Sequence, residues 1–90
     1  MGIAEVPTTA SCRLYPNPAK GSTTVSVTGI SGKVRIAVLD LSGREVLGET
    51  MECSADCEKS LDIEGLAEGA YFVRITSEAF APMVKKLIVR

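Results

Sequence analysis

Gly69-Ala70-Tyr71-Phe72-Val73-Arg74-Ile75-Thr76 is the stretch on which the fold turns. Tyr71, Val73 and Ile75 share one side of a two-residue repeat, and Phe72, Arg74 and Thr76 share the other. Successive side chains of a strand point to opposite faces, so this run predicts a strand with one face for a core and one for solvent. Upstream, Val34, Ile36 and Val38 repeat the alternation, and Val25 and Val27 stand out between Thr23-Thr24 and Thr28. Asp40-Leu41-Ser42-Gly43-Arg44 separates the first of these from Glu45 to Met51, with Gly43 placed to take the positive φ of a short hairpin loop. Leu61 and Ile63 suggest a brief strand after an acidic loop around Cys53 to Glu58, and Ser77 to Pro82 returns the chain towards its last segment. Met83 to Val89 also fits helical spacing, but it is too short for a self-supporting helix and holds the β-branched Val84, Ile88 and Val89. A strand is predicted there as well. The whole predicts an all-β fold, an antiparallel immunoglobulin-like β-sandwich of about six to seven short strands.

The chain has 90 residues, 10 Lys+Arg, 11 Asp+Glu and no histidine, which suits a single domain. Its 9 Val, 6 Ile and 7 Leu are enough for one small core. Without an imidazole, Ser-His-Asp and Cys-His nucleophiles and mixed nitrogen–sulfur zinc sites are excluded. With no Trp, two Tyr, two Phe and a net charge of −1, the chain offers little stacking surface and no general attraction for phosphate. Nucleic acid is therefore not an expected partner. No apolar run approaches the roughly 20 residues of a transmembrane segment, and Met1 to Cys12 lack the basic start and apolar block of a signal peptide. Export would then need a signal further upstream. Residues 1–12 read as linker and residues 13–90 as the domain.

Three cysteines are an odd number. Cys53 and Cys57 can form a disulfide if the segment between them turns, because a fully extended run would hold their Cα atoms about 13 Å apart. Zinc is the weaker reading, since three thiols in irregular spacing leave a fourth ligand unnamed. Cys12 is then free or pairs outside the chain. Charge is partitioned: residues 1–44 carry five basic and two acidic groups, residues 45–68 one and eight, and residues 69–90 four and one. Lys85, Lys86 and Arg90 make the last strand basic, which guards a sheet edge against unwanted pairing and also suits recognition.

Three stretches together resemble the C-terminal sorting domain of proteins exported by the bacterial type IX (Por) secretion system. Tyr15-Pro16-Asn17-Pro18 is similar to that family's opening YPNP signature, and Asp40 to Val46, with Gly43 and Arg44, to its D-x-x-G-R-x-V turn. Gly69, Tyr71, Val73 and Ile75, followed by Lys85-Lys86-Leu87-Ile88-Val89-Arg90, resemble its closing pattern. The resemblance implies a sorting signal and no enzyme or cofactor. The precursor would pass through the periplasm, be handed to an outer-membrane translocon and a shuttle barrel protein, and reach a cell-surface sortase that cleaves the domain off. The cargo would then remain at the outer membrane and cell surface or in the extracellular space. It also implies that Gly69, Tyr71, Val73, Ile75 and Lys85 to Arg90 carry recognition, whereas Tyr15, Pro16, Asn17, Pro18, Gly43 and Arg44 are structural. The small polar residues Thr8 to Ser11 are a candidate cleavage region. The cysteines match no motif of the family.

Other readings remain at this point. An immunoglobulin-like module binding protein or carbohydrate would need an aromatic platform, for which only Phe72, Phe80, Tyr15 and Tyr71 are available. The close carboxylate pairs Asp56/Glu58 and Asp62/Glu64 fit a solvated face better than an acid/base couple. A signalling domain that docks on an envelope sensor, or a homodimer using Phe72 or Leu39, stays within the family reading.

Overall fold

The computed structural model describes residues 11–78 and 80–90. These form β1 (Ser11–Lys20), β2 (Ser22–Leu39), β3 (Glu45–Asp62), β4 (Gly69–Ser77) and β5 (Phe80–Val89). The sheet order is β1-β5-β4-β2-β3, and β1 pairs with β2 as well. The sheet therefore folds back until the first strand in that order meets the fourth. Every pairing is antiparallel except β1 with β5, which is parallel. No described helix is long and apolar enough to cross a membrane.

Five strands stand where six to seven were expected, because two of them are 18 residues long. The segments around Val25/Val27 and Val34–Val38 are two halves of β2. Thr24 to Thr28 pair with β1, Val34 to Leu39 pair with β4, and β3 follows both halves. The handover lies at a bulge, where the register of β2 against β3 slips between Thr28 and Ile30. Gly29 takes φ +82° there, and Ala55, opposite Ile30, takes φ +80°. A bulge bends and twists its strand, which carries the ladder from one partner to the next. Glycine adopts this conformation freely, whereas Ala55 holds it at a cost of about 1–2 kcal/mol. The acidic stretch Cys53 to Glu58, expected as a loop, thus lies inside β3. Its charges mark exposure, and pairing with β2 supplies the backbone partners that a free loop would lack.

Ser11 and Cys12, the last residues of the expected linker, pair with Thr28 and Val27 at the start of β1. The rest of the expected linker lies outside the described residues. The hairpin over Asp40–Arg44 and the terminal strand stand where the alternation put them. The inward positions of all five strands make one core: Cys12, Ala19, Val25, Val27, Val34, Ile36, Val38, Leu61, Tyr71, Val73, Ile75, Leu87 and Val89 are buried together. Ile63 closes it just past β3, its N–H donating to Gly21 O at 3.0 Å.

Candidate functional site

Pro16 and Pro18 cannot donate a backbone hydrogen bond, so the start of the domain should be a poor strand partner. The structure shows how that gap is filled. β1 pairs with β2 as far as Tyr15 and again at Lys20, opposite Ser22; between these it meets β5 at Ala19, opposite Val89, where Arg90 N–H donates to Ala19 O at 2.8 Å. Two residues back, this parallel register sets Asn17 opposite Leu87. Its side chain donates from Nδ2 to Lys86 O at 2.8 Å and accepts at Oδ1 from Ile88 N–H at 3.0 Å. In a parallel ladder the N–H and C=O of one residue bond to the two residues flanking its partner. The Asn17 carboxamide makes the same two bonds and extends the β1–β5 ladder by one step between two prolines.

The neighbouring motif residues tie this junction to the rest of the sheet. Pro16 O accepts from Thr23 Oγ1 at 3.0 Å, which satisfies a hydroxyl on a buried residue. Tyr15 reaches across β2 and donates from its hydroxyl to Glu58 Oε2 at 2.7 Å, and this bond holds the phenol above its ordinary pKa. Towards Ser11, β1 and β5 are no longer paired and an open groove of about 420 Å³ separates them. Arg13, Leu14, Tyr15 and Asn17 line one wall, and Lys85 and Lys86 the other.

The two remaining motifs are local locks. Asp40 Oδ1 accepts from Ser42 N–H, Ser42 Oγ and Arg44 N–H at 2.9, 2.6 and 3.0 Å. Hydrogen bonding from Ser42 and then from the Arg44 amide holds the carboxyl below its usual pKa. Gly43 takes φ +92° and donates to Asp40 O at 2.9 Å, closing the turn where a side chain would be strained. Tyr71 puts its ring in the core and donates from its hydroxyl to Ala67 O at 2.6 Å. That back-bond at the entrance of a strand is the geometry of a tyrosine corner.

Residues 13–90 match the family described as the secretion system C-terminal sorting domain. The chain belongs to this family. It carries a sorting signal of the type IX secretion system, which implies interaction with that system and export to the cell surface or the extracellular space. The family is not a catalytic one. No curated protein matches the chain.

The sorting domain separates the residues named for recognition into two groups. Tyr71, Val73, Ile75, Leu87 and Val89 are at most 8% exposed and point into the core. A receptor meeting the folded domain cannot touch them. Gly69 opens β4 at φ +149°, and Ile88 is half-buried with its amide held by Asn17. Lys85, Lys86 and Arg90 are exposed. Among the described residues, none of these three cations is in an ion pair.

Cys53 and Cys57 are disulfide-bonded across the Ala55 bend, with Cα atoms 5.2 Å apart. The positive φ at Ala55 supplies the turn that brings them together. Cys12 is a free, buried thiol whose pKa is raised by burial, partly opposed by Lys85. Thr8 to Ala10 of the candidate cleavage region lie outside the described residues, and Ser11 is the first residue of β1.

The sequence reading missed the part played by Asn17. The available signal was a carboxamide between two residues without backbone donors, at a point where a strand still has to be continued.

Proposed function

We propose that the folded domain is delivered from the periplasm to the outer-membrane translocon by recognition of its last strand. A shuttle barrel protein then takes it to a surface sortase that cleaves upstream of β1. The observation that carries this reading is the combination of exposed Lys85 and Lys86 on β5 and Arg90 just past it, none in an ion pair among the described residues, with a backbone edge that Asn17 fixes at one end. Cations on such an edge can steer an encounter, and the edge can then exchange main-chain hydrogen bonds with a receptor. Gly69, Tyr71, Val73, Ile75, Leu87 and Val89 serve recognition indirectly, by holding the β4–β5 hairpin to the core. The folded-back sheet and the Tyr71 back-bond support an immunoglobulin-like sandwich with the long strands counted in halves.

The test fuses residues 11–90 to an inert periplasmic reporter, in a host with the type IX system and in one without it. Surface delivery should occur only in the first host and should fall when Lys85, Lys86 and Arg90 are all replaced by glutamate. Delivery unchanged by that replacement would overturn the reading.

A further inference from the structure

We infer that the groove between β1 and β5 receives an extended, acidic peptide segment of a partner protein, which enters as an added strand along β5. This deepens the sorting reading by naming the chemistry of the segment received, and it rests on that reading only for its cellular role.

The first support is the backbone. Lys86 O and Ile88 N–H both point towards β1, where Asn17 meets them, and Arg90 N–H follows. Backbone groups alternate from side to side along a strand, so Val84 and Lys86 also turn their N–H groups to this edge, while Met83 and Lys85 turn theirs to β4. Among the described residues, nothing pairs with the edge below the Asn17 bonds. The opposite wall, Ser11 to Tyr15, uses one side of its backbone on β2 and turns the other to the groove. Two incomplete ladders face each other over about five residues, roughly 16 Å of strand. A bare edge of this kind is the usual acceptor for strand addition.

The second support is charge. Arg13, Lys85 and Lys86 line the groove; among the described residues no carboxylate lines it and none of the three cations is in an ion pair. Half-buried Leu14 and the stem of Lys85 leave room for small apolar side chains on the inward face. An entering strand with carboxylates on the outward face and aliphatic groups on the inward face therefore fits both walls. Asn17 closes one end and sets where such a strand stops.

The test uses the full 90-residue chain, labelled for amide NMR, with two eight-residue probes: alternating glutamate and valine, or alternating lysine and valine. The glutamate peptide should shift the Val84 and Lys86 amides and protect them from exchange, more tightly at low salt, and the lysine peptide should not bind. Val84→Pro removes an outward N–H without removing a bond to β4, a place where a strand tolerates proline. It should weaken the glutamate peptide by about tenfold, equivalent to loss of about one hydrogen bond with its neighbours' alignment. Lys85→Glu with Lys86→Glu should weaken it at least as much. In both variants, continued protection of the Ile88 amide shows that the fold is retained.

Equal affinity of the glutamate peptide for Val84→Pro, or protection of the β3 edge instead of Val84 and Lys86, would overturn the inference. So would self-association of the chain through the groove that the peptide fails to displace. Reporter delivery keeps the two readings apart. Peptide binding lost in Val84→Pro with delivery intact supports the docking groove and counts against its use in sorting. Delivery lost with no acidic peptide bound overturns the groove's proposed occupant and leaves sorting by the last strand in place.

Discussion

Replacing Asn17 by alanine removes the donor to Lys86 O and the acceptor for Ile88 N–H while leaving the backbone between the prolines unchanged. Each bond contributes about 0.5–1.5 kcal/mol net. Both are near the surface, where water replaces part of the loss, so the pair contributes about 1–2 kcal/mol. In a domain of this size, each kcal/mol lowers the thermal midpoint by about 4–8 °C, which gives a fall of about 4–16 °C. Urea unfolding of the wild-type and variant chains should show a lower midpoint with the slope unchanged, because the surface exposed on unfolding is the same. Amide exchange adds a local readout: Ile88 N–H should lose protection by more than the global change, whereas Val73 and Ile75 should follow the global stability alone. Asn17→Asp is the sharper variant. It is nearly isosteric and keeps the acceptor for Ile88, but it turns an oxygen towards Lys86 O. It should therefore be no more stable than alanine at neutral pH. A fully stable aspartate variant, or an Ile88 amide as protected in Asn17→Ala as in wild type, would refute the view that the side chain acts as a peptide group.

Three further outcomes follow from the other locks. Asp40→Ala should lower the urea midpoint at pH 7. Because the folded carboxyl titrates below the unfolded value of about 3.9, the stability it adds is complete above that pH and is lost as pH falls through the folded pKa. The gap between wild-type and Asp40→Ala midpoints should accordingly stay constant from neutral pH to about 5 and narrow below about 4. Tyr71→Phe keeps the ring in the core and deletes the bond to Ala67 O, so it should cost about 1 kcal/mol in equilibrium unfolding, with the circular dichroism of the native state unchanged. Replacing Cys53 and Cys57 by serine opens a loop with a sequence separation of 4, for which chain entropy alone predicts a loss of about 2 kcal/mol, and a reducing agent should lower the wild-type midpoint to match.

Much of the sheet was readable from alternation. Val34, Ile36 and Val38, like Tyr71, Val73 and Ile75, face the core from paired strands, and the glycine in Asp40–Arg44 marks the hairpin. Strand count was not readable. Gly29 looks like a break in a linear pattern, yet a bulge lets β2 pass through it and change partners, and that depends on β1 and β4, which are distant in sequence. The acidic run at Cys53 to Glu58 misled for the same reason, since its polarity records exposure and says nothing of its bonds to β2. At the site, the exposed cations of β5 could be picked out by charge. The inward side chains named with them are buried, and for Tyr71, Val73 and Ile75 the alternation with Phe72, Arg74 and Thr76 already implied it. Asn17 escaped because its partners lie 69 and 71 residues away, and only the parallel meeting of β1 with β5 brings them together.

That parallel meeting also decides how the domain responds to mechanical load. A pull on residue 11 against residue 90 draws β1 and β5 past one another along their own axes. The bonds of Asn17 and Ala19 are then stressed together in shear and cannot be unzipped one at a time. A tag hauled by its far end while its passenger drags behind would grip hardest in the direction in which it is towed.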